Sequence, residues 1–430
     1  MTTTSLACPA LLIAAPASGQ GKTTVVAALA RLHTRLGRKV RVFKCGPDFL
    51  DPQIHQVASG APCENIDFRM CGEADARWRL ARTAKEADLI LVEGVMGIHD
   101  GEPSAAQLAR HLGLPVLLVL DAAAMAGSFG AVAWGLKHYK EGAPISAVLA
   151  NRVGSEYHGQ LCRETLPEDI AWYGALPRDA SGELPERHLG LLPAAEIEGL
   201  STSLDRMADA LAATPAAELP PAVNFADADA PQLPPLLTGR TIAVARDAAF
   251  CFAYPANLEC LAQLGATLTY FSPLVDQALP PCDAVWLPGG YPELHGPALA
   301  ANQAMANALK AHVAEGKPLL AECGGMMACF EQLTTVDGQC HTTFGLLPGN
   351  SAMQARLAGL GMVAVDLPEG HLQGHTFHYS TSSSTAPIIA TAVKAKGLGS
   401  EAIYRQQRLT ASYMHFYFPS NPEATARLFL

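Results

Sequence analysis

The first two hundred residues alternate between short apolar runs and stretches in which apolar positions recur every three or four residues. Strands are expected at Leu11–Ala15, Val40–Lys44, Leu89–Glu93, Val116–Asp121 and Ile145–Asn151, with helices between several of them. The alternation predicts a doubly wound parallel α/β sheet, whose ligands gather at the carboxyl ends of the strands. From Ala213 to Gly239 the pattern lapses into prolines, alanines and acids without a hydrophobic period, which reads as a linker. The expected organisation is therefore 1–212, a linker over 213–239, and 240–430. The last part alternates again. Strands are expected at Thr241–Ala245, Thr267–Phe271, Ala284–Leu287 and Pro318–Ala321, and a late one over Ala411–Phe418. Helices are expected at Asn257–Leu264, stopped by Gly265, and at Ala300–Ala314.

Composition narrows the class. A chain of 430 residues is too long for one ordinary core, and 49% hydrophobic with 16% charged residues is globular. A formal net charge of −10 and no basic stripe argue against nucleic acid. The longest apolar runs, such as Leu114–Asp121, are strand-length, so no membrane span is expected. MTTTSLACPA lacks the charged start and cleavage pattern of a secretory signal. The eleven cysteines form no CxxC pair; reduced thiols in a cytoplasmic protein are the plain expectation.

The stretch LLIAAPASGQGKTT turns an apolar strand through small residues into a helix N-terminus. Backbone N–H groups there face an anion, Lys22 reaches terminal phosphates, and the Thr23 hydroxyl can ligate Mg²⁺. Ser18, Gly19, Gly21, Lys22, Thr23 and Thr24 form the expected nucleotide loop, although Ala15 stands where such loops open with glycine. Asp48 and Asp51 straddle a turn after the second strand, Glu93 ends another, and Asp100 follows it. Each acid alone could be a cap or turn residue. With Gly21-Lys22-Thr23 they read as one magnesium and substrate site. Asn151-Arg152 could touch a base or form a polar turn, and Asn65-Ile66-Asp67 reads as a loop.

Cys323 is the second centre. Between the strand ending at Ala321 and the helical MMACFEQL, flanked by Gly324 and Gly325, it sits at a nucleophile elbow. The helix N-terminus behind it is expected to lower the thiol pKa. His415 is offered as the base, and the N–H groups of Gly290 and Gly324 as the oxyanion hole, with Gly289 beside them. The histidines of Gly374–Ser380 could equally bind substrate or pack.

KCGPDFLDP, VEGVMG with the trailing HDG, ARDAAFCF followed by YPANLE, LPGGYPEL, AECGGMM, GHTFHYS and ASYMHF occur in that order over nearly the whole chain. In this the chain resembles the cobyrinic acid a,c-diamide synthases of cobalamin biosynthesis, including the hydrogenobyrinic acid enzymes. The resemblance implies an N-terminal ATP-binding fold like dethiobiotin synthetase and a C-terminal class I glutamine amidotransferase domain. It implies Cys323 and His415 as the glutaminase pair, and ATP with Mg²⁺ activating a corrinoid carboxylate for amidation by ammonia. It makes Asp48 and Glu93 the Mg²⁺ carboxylates, with Asp51 and Asp100 near the substrate carboxylate or the metal. Family members often carry a second histidine, and the wider class a glutamate, where this chain has Tyr417, so the third triad member is unassigned. The rival expectations are amidation of another tetrapyrrole, formation of cobyric acid, and a P-loop regulatory ATPase with a retired amidotransferase fold. The expected partners are corrinoid, glutamine and ATP, and a homodimer is compatible with the sequence.

Overall fold

The computed structural model describes residues 5–178, 186–187, 190–394 and 399–430. The chain forms two compact units, Met1–Phe68 with Gly72–Ala230, and Arg69–Cys71 with Pro231–Leu430.

The first unit is built on β1 (Ser5–Ala14), β2 (Val40–Cys45), β3 (Glu64–Ile66), β4 (Leu89–Glu93), β5 (Val116–Asp121), β6 (Ile145–Val153) and β7 (Ala171–Pro177). They lie side by side in the order β3-β2-β4-β1-β5-β6-β7, and their pairings are parallel. Every residue of β4 is buried, as a strand covered on both faces requires. Truncating Leu91 there to alanine would cost about 2–5 kcal/mol. Helix α1 (Lys22–Arg35) is alanine-rich and buries Val25 through Ala30, so it can lie close against both the sheet and the helix Leu200–Ala212. Arg31 Nε meets Asp205 Oδ1 at 2.7 Å across that helix pair.

The segment 213–239, read from sequence as a linker, contains a 3₁₀ turn at Pro215–Ala217 and a strand at Ala222–Ala226. That strand pairs antiparallel with Ser5–Pro9 of β1. Only Val223 and Phe225 of it are buried, and two apolar residues among prolines and acids are too few to show as a period in the sequence.

The second unit holds a ten-stranded sheet. Its parallel part runs Thr267–Phe271, Thr241–Ala245, Ala284–Leu287, Leu319–Glu322, Leu409–Ser412. Antiparallel strands Ser400–Gln406, Ile388–Lys394, Gly359–Leu367 and Gly370–His378 continue it, and His415–Phe416 closes the far edge. The single strand expected over Ala411–Phe418 is thus two strands at separate places in the sheet. The Ser412 hydroxyl accepts the Met414 N–H at 3.1 Å and turns the chain between them. The helix expected over Ala300–Ala314 is likewise interrupted. Asn302 caps the helix Gln303–Ala314, accepting the Met305 N–H at 3.3 Å, while its Nδ2 donates to Pro273 and Asp276 carbonyls.

Candidate active sites

In the first unit the carboxyl ends of β1, β2 and β4 converge. β1 delivers the loop Ala15–Gly21, whose Gly19 and Gly21 adopt positive φ of 77° and 89°. A Cβ on Gly21 would stand 2.1 Å from Asn151 Nδ2, so the loop passes too close to β6 for any side chain. Asn151 Nδ2 donates to the Gln20 carbonyl at 3.0 Å, and Arg152 bridges the Gly19 carbonyl and Asp121 at 3.1 and 2.7 Å. Both residues therefore brace the loop.

Thr23 Oγ1 donates to Glu93 Oε1 at 2.8 Å. The register pairs Lys44 with Glu93 across β2 and β4, and Lys44 Nζ reaches Glu93 Oε1 at 2.9 Å and Asp51 Oδ2 at 2.6 Å. His55 Nε2 meets the other Glu93 oxygen. Burial opposes charge on Lys44, but Asp51 and Glu93 outweigh it and raise its pKa. Burial likewise opposes charge on Glu93, and Lys44 with His55 overcomes it, holding the carboxyl well below the usual range. Lys22 is depressed by burial and then by Lys44; its Nζ donates to the Ala17 and Met96 carbonyls at 3.0 and 2.7 Å.

Asp51 therefore joins Glu93 through Lys44. Asp48 Oδ1 accepts the N–H groups of Leu50 and Asp51 at 2.8 and 3.2 Å. Burial, then the neighbouring Asp51, lifts Asp48 to about 7. Asp100 accepts the Gly97 N–H at 3.1 Å in the loop after β4. Among the described residues no cluster of three or more His, Cys, Asp or Glu side chains could by itself hold a metal. Mg²⁺ bound with a nucleotide takes one or two protein oxygens and completes its shell with phosphate and water. The adjacent Thr23 and Glu93 oxygens fit that demand. Sequence reasoning did not single out Lys44 and His55 as part of this cluster; the available signal was a lysine and a carboxylate ending neighbouring strands.

In the second unit Cys323 links the strand Leu319–Glu322 to the helix Gly324–Cys329 with φ 46° and ψ −108°. A non-glycine residue there stores of order 1–3 kcal/mol of strain, a cost that elbows bear to present a nucleophile. A Cβ on Gly324 would lie 2.7 Å from the Gly290 carbonyl oxygen, and one on Gly289 would lie 2.3 Å from His415 Cε1. The Gly289–Gly290 strip is thus wedged between the His415 ring and the elbow, and only bare backbone fits. The expected lowering of the Cys323 pKa is not what the structure gives. Burial, reinforced by Glu293, pushes the thiol well up, and the N–H of Gly324 offsets this only in part. The helix behind it has six residues, a weak dipole against nearly complete burial.

His415 is buried and its pKa falls well below 6.5, first through burial, then through His375 and His378. Its strand is fastened on both sides. The Phe416 N–H donates to Glu322 at 2.8 Å, and Asn257 bonds the Phe416 carbonyl and the Phe418 N–H, each at 2.8 Å. Tyr417 packs edge-on against Tyr254. Of the two histidines in Gly374–Ser380, His375 stacks on His415. His378 stacks on Tyr413 and meets Glu401 at 3.1 Å.

Two family models match the chain: a CobQ/CobB/MinD/ParA nucleotide binding domain over residues 11–192, and a CobB/CobQ-like glutamine amidotransferase domain over 241–423. Hydrogenobyrinate a,c-diamide synthase of Pseudomonas aeruginosa is 57% identical over 429 residues, covering 99% of this chain and 98% of the relative. The enzyme of the same name from Stutzerimonas stutzeri is 57% identical, covering 99% of both chains. Cobyrinate a,c-diamide synthase of Herminiimonas arsenicoxydans is 47% identical, covering 97% of this chain and 96% of the relative.

Proposed function

The chain belongs to the cobyrinate and hydrogenobyrinate a,c-diamide synthases, glutamine-dependent carbon–nitrogen ligases of cobalamin biosynthesis, and on that premise we propose how its two sites divide the reaction. In the second unit Cys323 Sγ attacks the amide carbon of glutamine while its proton passes to His415. The carbonyl oxygen takes negative charge facing the N–H groups of Gly290 and Gly324. His415 returns the proton to the departing nitrogen, ammonia leaves, and a thioester remains. His415 then takes a proton from water, the resulting hydroxide adds to the thioester, and glutamate departs as the thiol is restored.

In the first unit the loop from Ser18 to Thr24 and Lys22 hold the phosphates of ATP. Thr23 and Glu93, with Asp48 nearby, hold Mg²⁺, and Asp51 and Asp100 border the substrate carboxylate. Bound there, Mg²⁺ supplies charge neutralisation on the transferring phosphoryl group. A corrinoid carboxylate oxygen attacks the γ-phosphorus and ADP leaves. Ammonia then displaces phosphate from the acyl phosphate, giving the amide. A carboxylate at neutral pH is a poor electrophile; the acyl phosphate supplies the leaving group. The cycle repeats so that the a and c carboxylates of cobyrinic acid are both amidated. The two relatives at 57% identity carry the name of the cobalt-free substrate, which favours hydrogenobyrinic acid as the second reading.

The observation that carries this is one chain holding both a Thr23–Glu93 contact at a phosphate loop and a strained Cys323 abutting the glycine strip that His415 leans on. The test is mass spectrometry of cobyrinic and hydrogenobyrinic acid after incubation with Mg·ATP and glutamine, beside a Cys323→Ala variant. Two added amides, lost in the variant with glutamine and regained with ammonia, are expected. ATP hydrolysis without amidation of either corrinoid would overturn the substrate.

A further inference from the structure

The Glu93 carboxylate is gripped at both oxygens, and the two grips differ in kind. The helix Asp51–Ser59 places Asp51 and His55, one turn apart, on one buried face. Asp51 reaches Glu93 through Lys44, whose Nζ lies 2.6 Å from Asp51 Oδ2 and 2.9 Å from Glu93 Oε1. His55 Nε2 meets Glu93 Oε2 directly, with the two side chains 0% and 1% exposed. An ionised carboxylate only accepts, so the ring carries a proton on Nε2 and donates it there. His55 Nδ1 is buried and has no hydrogen-bond partner. Glu93 is therefore the one hydrogen-bond partner of this imidazole among the described residues. Packing alone does not account for such a ring, because an apolar side chain would fill the space and leave no buried nitrogen unpaired. Wholly buried, it touches neither nucleotide nor corrinoid.

We propose that His55 is a positioning residue for the metal: by holding Oε2 it fixes the Glu93 carboxylate with Oε1 turned to Thr23. The proposal rests on Glu93 and Thr23 being the Mg²⁺ ligands. Thr23 Oγ1 and Lys44 Nζ both engage Oε1, at 2.8 and 2.9 Å. Neither sets where the other oxygen points, and a planar group needs two fixed points to have a fixed direction. His55 supplies the second. A carboxylate already oriented by its neighbours loses less rotational freedom when a cation orders it, so the metal binds more tightly.

The experiment is calorimetry of the full-length protein with adenylyl imidodiphosphate, an ATP analogue that is not hydrolysed, in Mg²⁺ and in EDTA. The ratio of the two dissociation constants reads the metal's share of binding without any turnover. In His55→Phe, which fills the space but donates nothing, that share should fall by about tenfold while the constant in EDTA stays at its wild-type value. His55→Gln, whose amide nitrogen reaches as far as Nε2, should restore it. His55→Asn, whose nitrogen stops where Nδ1 stood, should not. A wild-type ratio in His55→Phe would overturn the proposal, including one in which both constants weaken together, the mark of a merely structural role. Were His55→Phe not to fold, equal ratios in His55→Gln and His55→Asn would overturn it instead. If Glu93→Gln kept the wild-type ratio, the assignment of Glu93 as a metal ligand would be what failed.

Discussion

The imidazoles of His375 and His415 lie face to face, 4.7 Å between centroids and 12° from parallel. Sheet register does this: the two residues are paired across the edge strands. Tyr254 Oη fixes the outer ring at 2.9 Å from His375 Nδ1. With His415 as the proposed base, a stacked neighbour that sets its plane gives His375 a positioning role. His375→Ala should lower the glutamine-driven kcat by about tenfold with little change in KM, a loss of order 1.4 kcal/mol. His375→Phe, which keeps a flat ring, should recover most of it. Steady-state glutaminase kinetics check this, and a phenylalanine variant as slow as alanine would sink the stacking role.

Gly289 leaves no room for a methyl group against His415. Gly289→Ala should displace the imidazole and abolish glutamine-driven amidation while amidation from added ammonia persists. Comparing the two nitrogen sources reads this directly, and equal losses would point instead to a general folding defect.

Glu322 is buried and accepts hydrogen bonds from Trp286 Nε1 at 3.0 Å and the Phe416 N–H at 2.8 Å. Burial raises its carboxyl from 4.5 to about 8. Between those values the folded chain keeps a proton that the unfolded chain has released. The native state therefore binds more protons, and this group's contribution to stability falls as pH rises through that window. Glu322→Gln, neutral throughout, should show a shallower decline between about pH 5 and about pH 8 in denaturant titrations. Identical slopes would show that Glu322 is ionised in the folded protein.

Lys44 is the buried counter-charge for Asp51 and Glu93. Lys44→Met strands two carboxylates in a dry site, a loss of about 3–5 kcal/mol. Adding Glu93→Gln to it should restore part of that stability, and the double-mutant cycle on urea unfolding measures how much. Strict additivity of the two changes would mean the pair is not coupled.

Strands buried on both faces were legible because their apolar runs are continuous. Thr241–Ala245 and Ala284–Leu287 have the bounds that pattern predicts. The antiparallel strands between Gly359 and Gln406 were not, because large apolar residues also stand on their exposed face. Leu360 and Phe377 pair across it and remain 56% and 41% exposed, which blurs the alternation that marks a half-buried strand. Cys323 could be found because strand, nucleophile and glycines are contiguous. The pH behaviour of its thiol could not, since burial is settled by chain segments far apart in sequence. The choice between binding and packing for His375 stayed open, and Lys44 escaped, for a related reason. What makes each of them part of a site is cross-strand register, a property of pairs, whereas the sequence displays residues one at a time.

The strand Ala222–Ala226 returns to bond with the opening residues of β1. The last strand of the nucleotide-binding unit is thereby zipped to its first, so the ends of that unit meet at one seam. A seam of this kind suits circular permutation: a short bridge joining the two ends would disturb no interior strand. It also says where to cut the gene. A fragment stopped at Ala212 would bare one edge of β1, whereas a fragment carried to Ala230 keeps that edge covered.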